Sequence, residues 1–252
     1  CLVGSEMCIR DSTNWVSSAG KFVDLFEKKV CEYTNANFAV ACVNGTSALQ
    51  ISIKIAGVLP GDEVIVPSLT FIAPINAVAY NGADPIFMDC DRYYNIDVEK
   101  LINFITDYTV FKNGISINKA TNKRIAAIIP VHIWGNAVDM RALQKICKER
   151  NIVITEDTSE SVSTVYKSGV YNTVHTGLIG DLGCISFNGN KIITTGGGGV
   201  IITNNSTFAE KAKYLITQAK DDPINYIHDN IGYNFRITNV QAAIGVAQFE
   251  QL

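Results

Sequence analysis

Short apolar runs recur along this chain, each followed by a segment with helical spacing, and that alternation is what most limits its fold. The runs are Phe38 to Val43, Glu63 to Val66, Pro85 to Met88, Ala126 to Pro130, Ile152 to Ile154 and Val200 to Thr203. Lacking polar alternation, they suit strands covered on both faces. Between them, Phe22, Val23, Phe26 and Val30 fall at helical spacing within Lys21 to Thr34. Similar patterns run from the NGTSA turn to Ala56, from Ala73 to Tyr80, near Val98 to Ile105, and over Met140 to Lys148 and Phe208 to Ile216. The order predicts an α/β fold, a mostly parallel sheet with helices on both faces. The polar stretch ending at Asn122 predicts a surface hairpin or loop. No internal repeat or linker divides the chain.

Composition narrows the reading. With 252 residues, 47% hydrophobic and 18% charged, the chain can bury one substantial core. A net charge of -3 lacks the basic footprint of a nucleic-acid binder. No apolar run reaches the length of a membrane span. Seven cysteines, an odd number with no CxxC pair, argue against a disulfide framework or a zinc site and suit buried thiols of a cytoplasmic protein. Residues 1–11, CLVGSEMCIRD, resemble a translated library adapter and are set apart, leaving 12–252 as one domain. The chain stops at Phe249-Glu250-Gln251-Leu252 inside a helical pattern without a stop signal. It is therefore expected to be a fragment without its C-terminal small domain, with the apolar face of its last helix, Ala242 to Phe249, uncovered.

The segment 181–199, DLGCISFNGNKIITTGGGG, carries the chemistry. A strand-like run ends at Ser186-Phe187, polar residues deliver the single lysine Lys191, and four glycines follow. A lysine held between a strand end and a glycine turn suits an amine that attacks a carbonyl. Upstream, Asn44-Gly45-Thr46-Ser47-Ala48 joins a strand to a helix, with Thr46 as the expected N-cap and free first-turn amides that suit a phosphate. Asp157 ends a strand where ligands sit in open α/β sheets. It either faces a protonated ring nitrogen or is an ordinary turn carboxylate. Lysine, phosphate cup and aspartate together are the fixtures that pyridoxal 5'-phosphate needs. Glu160 stands where it could reach the phenolic side of the same ring. Phe71 either stacks on a flat cofactor or belongs to the core. His132 either lines the pocket or is structural, the second being the safer reading. The glycine run lacks the lysine–serine pair of a P-loop.

With these pieces in hand, the chain resembles the DegT/DnrJ/StrS family of nucleotide-sugar aminotransferases, which share the aspartate aminotransferase-like fold (fold type I). The resemblance runs from about Asn14 to Leu252 through NGTSALQ, GDEVIVPSLTFIAPINAV, IIPVHIWGNAVDM, EDTSES, SFNGNKIITTGGGG and GYNFRITNVQAAIGVAQFEQL. It implies that Lys191 bonds covalently to the cofactor, that Asp157 faces the ring nitrogen, and that Thr46, Ser47 and Ser186 form the phosphate cup. It further implies that Phe71 stacks on the ring, and that Asn234 and Arg236 reach the neighbouring subunit's site in a homodimer. SES, SFNGNK and GGGG look most like the legionaminic acid and bacillosamine branch. That branch implies a UDP-linked 2-acetamido-2,6-dideoxy-4-ketohexose as substrate, glutamate as donor, and a role in surface polysaccharide synthesis. The alternatives are a GDP-perosamine-type 4-aminotransferase, or a regulatory or dehydratase relative of the kind that lacks the lysine. Lys191 speaks against the last two.

Overall fold

The computed structural model describes residues 17–18, 20–222 and 224–252, so the adapter-like segment 1–11 lies outside the described residues. In chain order the main elements are α1 (Lys21–Thr34), β1 (Phe38–Cys42), α2 (Gly45–Ile55), β2 (Glu63–Pro67), α3 (Ile72–Tyr80), β3 (Asp84–Met88) and α4 (Val98–Asp107). They continue with β4 (Thr109–Lys112), β5 (Ile115–Asn118), β6 (Arg124–Ile128), α5 (Met140–Glu149), β7 (Val153–Asp157), β8 (Leu182–Ser186), β9 (Gly199–Thr203), α6 (Ser206–Ile216) and α7 (Asn239–Phe249). Among the described residues, no helix is long and apolar enough to cross a membrane.

One sheet runs in the order β1-β9-β8-β7-β6-β2-β3. The pairs β2–β3, β2–β6, β6–β7 and β7–β8 are parallel. The polar stretch forms the hairpin β4–β5, which adds antiparallel to β6. β9 departs from the expected parallel pattern and runs antiparallel to both β8 and β1. The connection, residues 187–198, forms no helix and turns straight back on β8. Phe187 N–H donates to the Gly198 carbonyl at 2.9 Å and Thr195 N–H to the Phe187 carbonyl at 3.0 Å, closing the turn. Lys191 therefore sits in a hairpin loop rather than a strand–helix connection.

Side-chain alternation on β8 and β9 separates two cores. Leu182, Cys184 and Ile201 join α2 and α6 on one face, while Ile185, Val200 and Ile202 join α1 and α7 on the other. α4 and α5 cover β6 and β7 on that second side through Leu101, Ile105, Leu143 and Cys147. The last helix does not show the uncovered face expected from sequence. It ends at Phe249 with Glu250 as cap, and its Ala242, Ala243, Gly245 and Val246 are buried. Small residues let it lie on the Phe26 ring, where a Cβ at Gly245 would collide, and Phe249 closes over Phe26 at 6.0 Å.

Because β9 starts opposite both Cys42 and Ser186, its first residue must pass against the turn after β1. A Cβ on Gly199 would fall on the carbonyl carbon and oxygen of Asn44 and lie 2.7 Å from the Gly45 nitrogen. Backbone cannot give way as a flexible side chain does. Gly199→Ala should therefore cost about 1–3 kcal/mol, the usual range for overpacking. Thermal unfolding should show a Tm lowered by several degrees; an unchanged Tm would show that this contact does not fix the two turns together.

Candidate active site

β1, β2, β6, β7 and β8 all point the same way, so their carboxyl ends open on one edge. There a cavity of about 580 Å³ collects one turn from each strand: 44–46, 69–71, 131–134, 157–160 and 186–191. Ligands of open α/β sheets sit in such a place.

The 44–46 turn starts α2. Its N-cap is Asn44, not Thr46: the Asn44 Oδ1 accepts from Ser47 N–H at 2.8 Å. This leaves the amides of Gly45 and Thr46, which have no partner within the helix, for a ligand at the cavity. Close approach of Ser186 is possible because residue 45 is glycine; a Cβ there would stand 2.8 Å from the Ser186 Cβ. At the next turn Thr70 lines the cavity with a buried hydroxyl that meets no partner. Hydroxyls at Thr46, Ser186 and Thr70 and the first-turn amides together match the oxygens of a phosphate group. The ring of Phe71, 78% exposed, stands beside them.

Asp157 ends β7 and lies 4% exposed. Burial pushes its carboxyl above the ordinary range, while Ser159 and the charge of Lys191 pull it back only in part. Its Oδ1 accepts from Ser159 N–H at 3.0 Å. The neighbouring Glu156 has the opposite fate. Burial alone would raise it, but His132 and the amides of Gly180 and Gly177 more than offset this and hold it below the ordinary range. The His132 Nε2 meets Glu156 Oε2 at 2.8 Å, and Val138 N–H donates to the His132 Nδ1 at 3.1 Å. With Nδ1 accepting, the ring proton stands on Nε2 and points at the carboxylate. His132 is fully buried and lies behind the cavity wall, as the structural reading expected.

Lys191 reaches the cavity from the β8–β9 loop, where its N–H donates to the Asn188 carbonyl at 3.0 Å. Its Nζ lies 3.7 Å from Glu160 Oε1. The other oxygen, Oε2, accepts from Trp134 N–H at 2.8 Å. Among the residues expected from sequence, Thr46, Phe71, Asp157, Glu160, Ser186 and Lys191 line this one cavity. Ser47 does not; it is buried, with its amide taken by the Asn44 cap. Asn234 and Arg236 do not either. Arg236 donates to Asn234 Oδ1 at 2.8 Å on a segment that pairs with the end of β1, and neither side chain lines the cavity. Thr70 and Trp134 escaped the sequence reading. The signal for each was adjacency: Thr70 directly precedes Phe71, and Trp134 follows His132 by two residues at a strand end.

Residues 8–252 match the sequence profile described as the DegT/DnrJ/EryC1/StrS aminotransferase family. A GDP-perosamine synthase of Caulobacter vibrioides is 41% identical over 241 residues, covering 95% of this chain and 59% of that protein. The GDP-perosamine synthase of Escherichia coli O157:H7 is also 41% identical over 241 residues, covering 96% of this chain and 60% of its own length. The chain thus spans about three fifths of the curated relatives it matches. A crystal structure of a DegT/DnrJ/EryC1/StrS aminotransferase from Brucella abortus superposes with a TM-score of 0.86 at 30% identity, over 99% of this chain and 64% of that one. NtdA of Bacillus subtilis, solved with bound cofactor PMP, superposes with a TM-score of 0.82 at 27% identity, over 99% and 52%. The aspartate aminotransferase-like α/β fold expected from sequence is therefore the one observed.

The raised value of Asp157 has a consequence for the cofactor-free protein. A carboxyl whose folded value lies above its unfolded value, near 3.9, favours folding in its protonated form. Its ionisation weakens the fold as pH rises from the unfolded toward the folded value, and the loss persists above. Asp157→Asn cannot ionise and keeps an oxygen for Ser159. It should raise the Tm of cofactor-free protein at pH 7, and that advantage should vanish on titration below about pH 4. A Tm gain that did not change with pH would trace to packing instead.

Proposed function

The chain belongs to the DegT/DnrJ/EryC1/StrS aminotransferase family, and from that premise we propose that it is the cofactor-binding part of a pyridoxal phosphate-dependent sugar aminotransferase. The reaction would move an amino group from glutamate to the keto carbon of a nucleotide-linked 4-keto-6-deoxyhexose, leaving 2-oxoglutarate and a 4-amino sugar. The observation that carries the reading is the meeting of Lys191, Asp157 and the Gly45–Thr46–Ser186 cradle on one cavity. When bound there, the cofactor would carry the amino group between the two substrates and stabilise negative charge at the reacting carbon.

The protein's own part follows from its side chains. The amides of Gly45 and Thr46 and the hydroxyls of Thr46 and Ser186 would hold the phosphate. Asp157, short of donors and pushed up by burial, would gain a cationic partner in the ring nitrogen, which favours its carboxylate form. Phe71 would cover one ring face. The Lys191 Nζ would form the covalent attachment and, once released, take and return the proton at the reacting carbon. Glu160, 3.7 Å from that Nζ, would accept the ring-side oxygen's hydrogen bond. Asn234 and Arg236, away from their own cavity, would serve the neighbouring subunit's site in a homodimer.

For the substrate, 41% identity to two GDP-perosamine synthases favours a GDP-linked hexose over the UDP-linked one inferred from the SES and GGGG segments. The test is an assay of the full-length protein with glutamate and each of the two 4-keto sugars, read by mass spectrometry of the product. Amination of the GDP-linked sugar at a rate at least tenfold above the UDP-linked one is expected. Lys191→Ala should abolish it and remove the covalent cofactor band after borohydride reduction. A covalent label on another lysine would overturn the assignment of Lys191, and exclusive use of the UDP sugar would restore the first branch.

A further inference from the structure

Two touching aromatic residues, one of which lines the cavity, hold backbone conformations that such residues rarely adopt. Trp134 has φ 52° and ψ 26°, and Tyr94 has φ 68°. Both lie in the left-handed region, where a bulky side chain is strained. They meet edge-on, with ring centroids 5.3 Å apart at 67°. Trp134 lines the cavity yet is 68% exposed, and Tyr94 is 50% exposed. The core therefore gains little from either ring, and burial does not explain why the strain is kept.

The strained turn is held by main-chain bonds on every side. Glu160 Oε2 accepts Trp134 N–H, and Thr164 Oγ1 donates to the Gly135 carbonyl at 3.0 Å. Asn95, itself 3% exposed, accepts from Ile133 N–H and donates to the Asn136 carbonyl, each at 3.3 Å. Asn95 follows Tyr94 directly, so the same side chain that fixes the Trp134 turn fixes Tyr94 beside it. None of these bonds uses the indole. The scaffold presents the indole; the indole does not build the scaffold.

We infer that Trp134, braced by Tyr94, is the platform on which the hexose ring of the substrate packs. The inference rests on the sugar-aminotransferase reading above. A single carboxylate links the Trp134 amide to the Lys191 amine, and both residues line the same cavity, which puts the Trp134 turn close to the amine where the reaction would run. The hexose must be there, whereas the purine lies a diphosphate and a ribose farther off. A flat indole suits the apolar C–H face of a hexose, giving contact area at little cost in conformational freedom. Glutamate, small and without such a face, does not need it.

The test uses full-length, cofactor-loaded protein, with Trp134→Ala and Trp134→Phe beside the wild type. Binding of the GDP-linked 4-amino-6-deoxyhexose and of GDP alone is measured by calorimetry. Bleaching of the visible cofactor band by glutamate reports the donor half-reaction. We expect Trp134→Ala to raise the Kd of the sugar nucleotide roughly tenfold or more, as loss of a central tryptophan contact does. Trp134→Phe should stay within about threefold, and GDP binding and bleaching by glutamate should be unchanged. In cofactor-free protein, the sugar nucleotide should quench tryptophan emission in wild type and not in Trp134→Phe. Equal sugar-nucleotide affinity in Trp134→Ala would overturn the platform while leaving the functional reading intact. Equal weakening of GDP, a lost glutamate response or a changed oligomeric state would also overturn it, by showing a nucleotide-binding or structural role. A wild type that binds no keto- or amino-sugar nucleotide, UDP-linked or GDP-linked, would sink the functional reading and the platform with it.

Discussion

Everything at the carboxyl edge of the sheet depends on three backbones being allowed to touch. β1 ends at Cys42, β8 at Ser186, and β9 begins between them at Gly199. Side chains at residues 45 and 199 would each collide with the opposing turn. With glycine at both, the turn that starts α2 lies directly against the end of β8, whose loop carries Lys191. The Gly45–Thr46 turn and the Lys191 amine, from sequence positions far apart, thereby line one cavity. The reversal of β9 is part of the same constraint. A parallel β9 would have needed a crossover from Ser186, and Lys191 would have been carried away from the Gly45–Thr46 turn.

At the end of β7, two consecutive acids show how donors decide the state of a buried carboxyl. Glu156 and Asp157 are both buried, and burial alone raises both. Glu156 receives bonds from His132, Gly177, Ile179 and Gly180 at 2.6 to 2.9 Å. Charge is tolerable there because the lone pairs are met, and removing one donor would leave a buried ion short of partners. Asp157 receives Ser159 alone from its surroundings. Successive strand residues face opposite sides of the sheet, so the satisfied acid looks into the protein and the unsatisfied one toward the cavity. Glu156 also anchors the 177–180 loop and, through His132, the 130–138 strip. Asp157 N–H and C=O bond the same strip at Pro130 and His132. The position of the needy carboxyl is thus fixed from both sides of its strand.

Sequence periodicity located nearly every element, because strands buried on both faces and amphipathic helices write themselves in apolar spacing. It could not give the direction of β9: Val200 to Thr203 is equally apolar in a parallel or antiparallel strand. Nor could it separate Asn44 from Thr46 as cap, since both are good caps and a two-residue difference is decided by the strand that precedes. For the helix Asn239–Phe249, the sequence shows an apolar face and no stop signal but not the surface that covers that face. Only its distant partner, Phe26, shows that small residues are what the contact needs. At the site, residues with charge or a special turn were legible. Thr70 and Trp134 were not, because a hydroxyl without a partner and a strained indole are visible only once the surrounding backbone is in place.

Glu160 joins the two halves of the site. One oxygen lies toward the Lys191 amine and the other holds the amide of Trp134 in its left-handed turn. An amide side chain could make only one of these two contacts well. Its oxygen could accept from Trp134, but its NH₂ would then face the lysine as a donor rather than as an anion. A carboxylate accepts at both ends. Because Glu160 is 38% exposed at its side chain, the charge attraction to Lys191 is screened and weak, whereas the bond to Trp134 N–H is local and charge-assisted. The stronger of the two links therefore runs to the turn. If the Lys191 amine moves away, the carboxylate can lose its contact with Nζ and still keep the Trp134 turn in shape. The geometry of the Trp134 turn is in this way made independent of the position of the Lys191 amine.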